Sequence, residues 1–199
     1  MRPVVLTCLV AIGTLCSFAP SASAASKILV KTRTYEITGT TGAALVEAMD
    51  HKGPKHGFMT RAIAQTGYTV DWELDVSQAN GVCRVRQANG TLDLTYTFPH
   101  IASATTPALQ KRWNRFFAGV RAHEETHGHI AREMMRATEK SITGLKFAND
   151  PQCSKARREA RRRIDATYAE YEVKQIAFDA REHRSGGHVE QLIDALVGK

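Results

Sequence analysis

The chain has 199 residues, 43% hydrophobic and 24% charged, with a formal net charge of +7 and 4 cysteines. Beyond the first two dozen residues nothing approaches the ~18 consecutive apolar residues of a membrane-crossing helix, and the length suits one domain with a real core rather than two. The basic excess carries no sign of base stacking, because no aromatic residue interleaves with the cationic run 155–163, so no nucleic-acid partner is expected.

Residues 1–24 read as an export leader. Arg2 precedes an apolar run, 4–18, too short to span a bilayer, and Pro20-Ser21-Ala22-Ser23-Ala24 then places small residues where a signal peptidase cuts. Removal of 1–24 leaves 25–199 as a single domain in a periplasmic or secreted setting, with only Cys83 and Cys153 of the cysteines. In an oxidising compartment that pair is expected to form a disulfide tying the two halves of the chain together.

From residue 27 to about 100 the pattern is mainly that of strands, expected to be mostly antiparallel. Ile28-Leu29-Val30, Thr34-Tyr35-Glu36-Ile37, Tyr68-Thr69-Val70-Asp71-Trp72 and Leu92-Asp93-Leu94-Thr95-Tyr96 alternate or are β-branched, and Asn89-Gly90 is expected to turn a hairpin. A short helix is expected over 42–49, where Ala43, Leu45, Val46 and Met49 recur at helical spacing, ending at Lys52-Gly53-Pro54.

From about 105 to 199 the period is helical. Thr105 or Thr106 is the expected N-cap of a long helix with Pro107 in its first turn, reaching about Ile142. A second long helix is expected from near Ser154 to about His183, stopping before Ser185-Gly186-Gly187, with a short tail helix over 189–197. Lys155, Arg157, Arg158, Arg161, Arg162 and Arg163 read as a solvated face of the second helix, the alternative being a contact with an anionic envelope polymer.

The first long helix carries His123-Glu124-Glu125-Thr126-His127. Two histidines four apart lie one turn above each other, so their rings can converge on one ion. Leu109, Trp113, Phe116, Val120, His123, His127, Ile130 and Met134 are spaced alternately by three and four, so the imidazoles are expected to continue a buried stripe. Buried imidazoles beside a glutamate are costly unless a cation is present. Zinc is therefore expected, held by His123 and His127, with Glu124 taking a proton from water as general base. Glu125 is expected to be solvated, and His129 to be a surface residue or a substrate contact. A third ligand is expected from the second helix, where Asp179 and His183 share a face with Glu172 and Ile176; His183 is the preferred ligand and Asp179 its orienting neighbour or rival. His51, His56, His100 and His188 lack a partner at ligand spacing.

These residues resemble an exported bacterial family of unknown function, number 922, described as predicted secreted zinc-dependent proteases. The likeness spans most of the chain after the leader. It includes Tyr35-Glu36-Ile37-Thr38-Gly39-Thr40-Thr41, the Gly53-Pro54 turn, Thr69-Val70-Asp71-Trp72, Cys83, Phe98-Pro99, Trp113, the 123–127 motif and Phe178-Asp179-Ala180-Arg181-Glu182-His183. Asp179 and His183 carry over, whereas Phe178 replaces a tyrosine and no glycine follows His183. The resemblance implies an α+β, zincin-like architecture: a β-rich half, about 27–100, then two long helices within 105–199, the first bearing the motif. It implies a zinc metallopeptidase hydrolysing peptide or protein substrates. The alternatives are a non-catalytic metal-stabilised envelope binding protein and a zinc amidase acting on cell-wall peptides.

Overall fold

A computed structural model describes residues 26–56 and 60–199; the expected leader, 1–24, lies outside the described residues. The strand-rich half forms β1 (Lys27–Ile37), α1 (Gly42–Lys52), the short pair β2 (Lys55–His56) and β3 (Thr60–Arg61), β4 (Gln65–Ala79) and β5 (Val82–Ile101). The helical half follows with α2 (Pro107–Ile142), β6 (Lys146–Phe147), α3 (Ser154–Glu182) and α4 (His188–Val197). The fold is α+β, and among the described residues no helix is long and apolar enough to cross a membrane.

β5 organises the sheet, whose order is β1-β5-β4 with β6 also on β5. The sheet is mixed. β4 and β6 run antiparallel to β5, but β1 pairs with it in parallel from Lys27↔Thr91 to Ile37↔Ile101. A parallel pair needs a long crossover, here supplied by α1 and everything up to β4.

The expected hairpin at Asn89-Gly90 is not there. The chain turns at the other Asn-Gly, where Asn80 and Gly81 have φ of 52° and 73° between the paired Ala79 and Val82. Two consecutive positive φ values are what a two-residue hairpin requires. Asn89-Gly90 instead runs inside β5 opposite Glu73 and Trp72. A Cβ on Gly90 would sit 3.0 Å from Met135 Cγ and 3.1 Å from the Trp72 ring, so this glycine serves close packing rather than a turn.

Alternation along β5 points Leu92, Leu94, Tyr96 and Phe98 at α2, where Leu109, Trp113, Phe116, Val120, Ala131 and Met135 meet them in one core. Each leucine, valine, phenylalanine or methionine among them stabilises the fold by roughly 1.5–3 kcal/mol when fully buried. Thr106 caps α2, its hydroxyl accepting from Leu109 N at 3.3 Å, and Pro107 occupies the first turn. Over 36 residues the buried face of α2 drifts, because 3.6 residues per turn does not match a strict three-four spacing. Beyond Val120 it keeps His123 and Met134 and widens to take in Glu124, Gly128, Ala131 and Met135, leaving His127 and Ile130 only partly buried. Glu124 meets Thr66 of β4, while His123 stays on the expected buried stripe and, with His127, faces Asp179 of α3.

Gly128 sets how closely α2 approaches β5. A Cβ there would run into the Tyr96 hydroxyl and come within 3.1 Å of Leu94 Cδ2. Tyr96 is itself buried, so its ring has little room to yield. Gly128→Ala is expected to destabilise the protein by about 1–3 kcal/mol despite alanine's better helix propensity, read as a lower Tm.

Among the residues of α3 described as buried are only Ala156, Ala160, Gln175 and Phe178, and its N-terminal end is bonded to β5 through the Cys83–Cys153 disulfide. Asp150 accepts from Ala156 N at 3.0 Å and Lys155 N at 3.1 Å, tying up the first turn. The basic run is largely exposed, with Glu159 paired to Arg162 at 2.7 Å and to Arg163 at 2.9 Å.

Candidate metal site

The cluster forms where the middle of α2 meets the C-terminal end of α3. On α2 the i,i+4 spacing brings His123 Nε2 and His127 Nε2 to 3.2 Å. From α3, Asp179 Oδ1 enters between them, 2.9 Å from His127 Nε2 and 3.3 Å from His123 Nε2. His183, the residue after α3, completes the group with its Nε2 3.9 Å from the same oxygen. Ligand atoms of His123, Asp179 and His183 all lie within 4.8 Å of one another. The Phe178 ring backs both α2 imidazoles, at centroid distances of 4.8 and 5.0 Å.

Burial is graded across the cluster. His123 and His127 side chains are 8% and 13% exposed, whereas Asp179 and His183 are 44% and 55% exposed, so one side is dry and the other faces solvent. A recess of about 360 Å³ opens on the solvent side, lined by His183, Ser185, Val189, Glu190 and Ile193.

The donor set is electron-rich. Burial, reinforced by the neighbouring His127 and His183 and opposed by Asp179 and Glu182, pushes the His123 pKa down to about 4, so this ring is neutral near pH 7. Its Nδ1 is buried without a hydrogen-bond partner, and the Glu182 carboxylate lies 4.0 Å away. Two imidazole nitrogens and a carboxylate oxygen in mutual contact repel unless a proton or a cation stands among them. Donors ~2.0–2.1 Å from a tetrahedral ion stand roughly 3.3–3.5 Å apart. The contacts to Asp179 Oδ1 and between the two α2 rings, 2.9–3.9 Å, bracket that range, and the His123, Asp179 and His183 set as a whole lies within 4.8 Å, so a small divalent ion fits after modest contraction about it.

Glu124, the residue after His123 along α2, meets Thr66 of β4. It is 6% exposed, with Oε2 accepting from Thr66 Oγ1 at 2.6 Å; the same hydroxyl lies 3.0 Å from the Glu124 carbonyl. Burial raises its pKa, and the nearby Asp179 adds to this, while the Thr66 bond and His127 pull it back. A carboxyl held above its ordinary range beside such a cluster is a candidate for proton transfer.

The other sequence candidates lie apart. Glu125 is exposed, and His129 is an exposed residue 3.1 Å from Glu133. His51, His100 and His188 are exposed and none belongs to the cluster, while the side chain of His56 lies outside the described residues. Glu172 and Ile176 are exposed, so the inward stripe of α3 runs through Gln175, Phe178, Asp179 and Glu182 instead. Gln175 was not legible as a site residue, although it lies one turn before Asp179; its Oε1 is 2.6 Å from His127 Nδ1 and its Nε2 donates to the His127 carbonyl at 3.2 Å. Thr66 carried no signal, since its contact with Glu124 exists only once β4 packs beside α2.

No curated protein and no solved structure matches the chain. Residues 32–187 match a family described as bacterial proteins of unknown function. That span holds every member of the His123, His127, Asp179 and His183 cluster, and the chain belongs to this family, DUF922.

Proposed function

We propose that the protein is an exported zinc-dependent hydrolase of amide bonds, a metallopeptidase. The observation that carries this reading is a buried carboxylate, Glu124, beside a cluster in which His123, His127, Asp179 and His183 converge. Three imidazoles and one carboxylate suit zinc better than calcium or magnesium, which prefer oxygen-only shells. Export rests on the expected leader and on the disulfide.

His123, His127 and His183 would hold the zinc, which when bound acts as a Lewis acid on the scissile carbonyl and on the attacking water. Glu124 takes the proton of that water and passes it to the departing amine. Thr66 holds one oxygen of Glu124, leaving the other for this traffic. Phe178 shields the two α2 rings, and the recess beside His183 leaves room for a substrate residue.

A second reading is a metal-stabilised envelope binding protein. Asp179 favours it, because a fourth protein donor closes the shell against water. A cell-wall amidase would use the same parts as a peptidase, and hydrolysis of peptides against peptidoglycan fragments separates the two.

Metal analysis of the purified protein is expected to find close to one zinc per chain, lost in the His123→Ala, His127→Ala double variant. Chelation should remove peptide hydrolysis and zinc should restore it. A folded, metal-free parent that also fails to take up zinc on titration sinks the reading; one bound zinc without hydrolysis of any amide favours the binding protein.

A further inference from the structure

We infer that Gln175 is a positioning residue that fixes the proton of His127 on Nδ1 and so turns the Nε2 lone pair toward His123 and Asp179. Gln175 is 7% exposed on a helix that is otherwise largely polar, a costly place for an amide unless both of its ends are satisfied. Both ends are used on one residue. The amide nitrogen lies 3.2 Å from the His127 backbone carbonyl, which has no proton to give, so the nitrogen must face it. The amide oxygen then faces His127 Nδ1 at 2.6 Å. That oxygen carries no proton either, so Nδ1 must be the donor. In the neutral ring the other nitrogen carries the lone pair, and it lies 3.2 Å from His123 Nε2 and 2.9 Å from Asp179 Oδ1, a meeting of acceptors that a cation held between them would satisfy.

The clamp is neutral, unlike the carboxylate that often orients a metal-binding imidazole. It sets ring orientation and tautomer without adding a charge to a cluster that already holds Asp179 and the adjacent Glu182. Its backbone bond also ties ring position to the helix axis, so α3 cannot slide along α2 without releasing the ring.

The inference deepens the zinc-site reading but is tested first without metal. Ring nitrogen–proton correlation spectra of the metal-free protein at mildly alkaline pH are expected to show His127 as the Nδ1–H tautomer. Gln175→Met keeps the length and removes the acceptor; His127 should then lose that tautomer preference. Gln175→Glu retains an acceptor against Nδ1 and should restore it. Zinc affinity, measured by competition with a chromophoric chelator, should fall about 10–100-fold in Gln175→Met. A merely structural glutamine would lower the Tm and leave tautomer and affinity alone. An unchanged tautomer in Gln175→Met, or a zinc affinity within twofold of the parent, overturns the inference. Hydrolysis does not enter these readouts: a protein that passes them and cleaves no amide keeps the clamp and loses the peptidase.

Discussion

Replacing Glu124 with glutamine is expected to lower amide hydrolysis by about 10²–10⁴-fold and, in the same protein, to raise the stability of the metal-free fold. The two effects have one cause. Glu124 is 6% exposed, hydrogen-bonded by Thr66, and among the described residues no lysine or arginine is paired with it. Burial raises its pKa, which means that the folded state resists the charged form. The sign follows from linkage. A carboxyl whose folded pKa lies above its unfolded value favours the fold when protonated, and that contribution is lost as pH rises through the folded value. At neutral pH the parent therefore carries a penalty that glutamine removes, on the order of 1 kcal/mol for relief of such a site. The corresponding rise in Tm is roughly 2–4 °C, measured with chelator present. The gain should fade as pH falls through the raised pKa of Glu124 toward its ordinary value of 4.5. Zinc stoichiometry should be unchanged, since Glu124 faces Thr66 rather than the imidazole nitrogens. Parent-like hydrolysis by the variant removes both the proton-transfer role and the metallopeptidase.

What could be read beforehand follows the reach of each interaction. The start of α2 was legible because Thr106 and Pro107 act on their own turn, and His123 with His127 because i,i+4 geometry is local to one helix. Asp179 and His183 repeat that spacing at the C-terminal end of α3, and the structure brings both together with His123, while His127 meets His123 and Asp179. The parallel pairing of β1 had no local sign, because strand direction within a sheet is decided by connections tens of residues long. The two Asn-Gly dipeptides show the same limit. Both suit a turn chemically, but Gly90 is held in a strand by Met135 and Trp72, which lie far away in sequence. The expected stripe of α2 holds at His123 and Met134 but widens near the motif to bury Glu124 and Gly128, with His127 only partly buried. Glu124 thereby meets β4 through Thr66, and the histidines meet Asp179 of the second helix as its spacing suggested. Gln175 and Thr66 touch the site only through tertiary packing, so residue type alone could not mark them.

Removing the disulfide with a Cys83→Ala, Cys153→Ala double variant is expected to cost roughly 4 kcal/mol, on the chain-entropy estimate for a closed loop of this size. The two cysteines are 70 residues apart and both are buried, at 0% and 5% exposure. For a chain of this length that loss corresponds to a fall in Tm of roughly 8–16 °C. The position of the bond adds a functional consequence. It pins the N-terminal end of α3, whose few buried residues hold it only weakly, while the opposite end carries Gln175, Asp179 and the adjoining His183. A helix released at one end loses definition at the other, so the double variant should also bind zinc more weakly than the parent. Measuring both proteins with and without zinc separates the effects: the Tm difference between them should be larger with zinc, because the parent gains more from binding. Equal zinc-induced shifts in Tm mean that the α3 residues are held in place by α2 alone, and that the disulfide stabilises the fold without tuning the site.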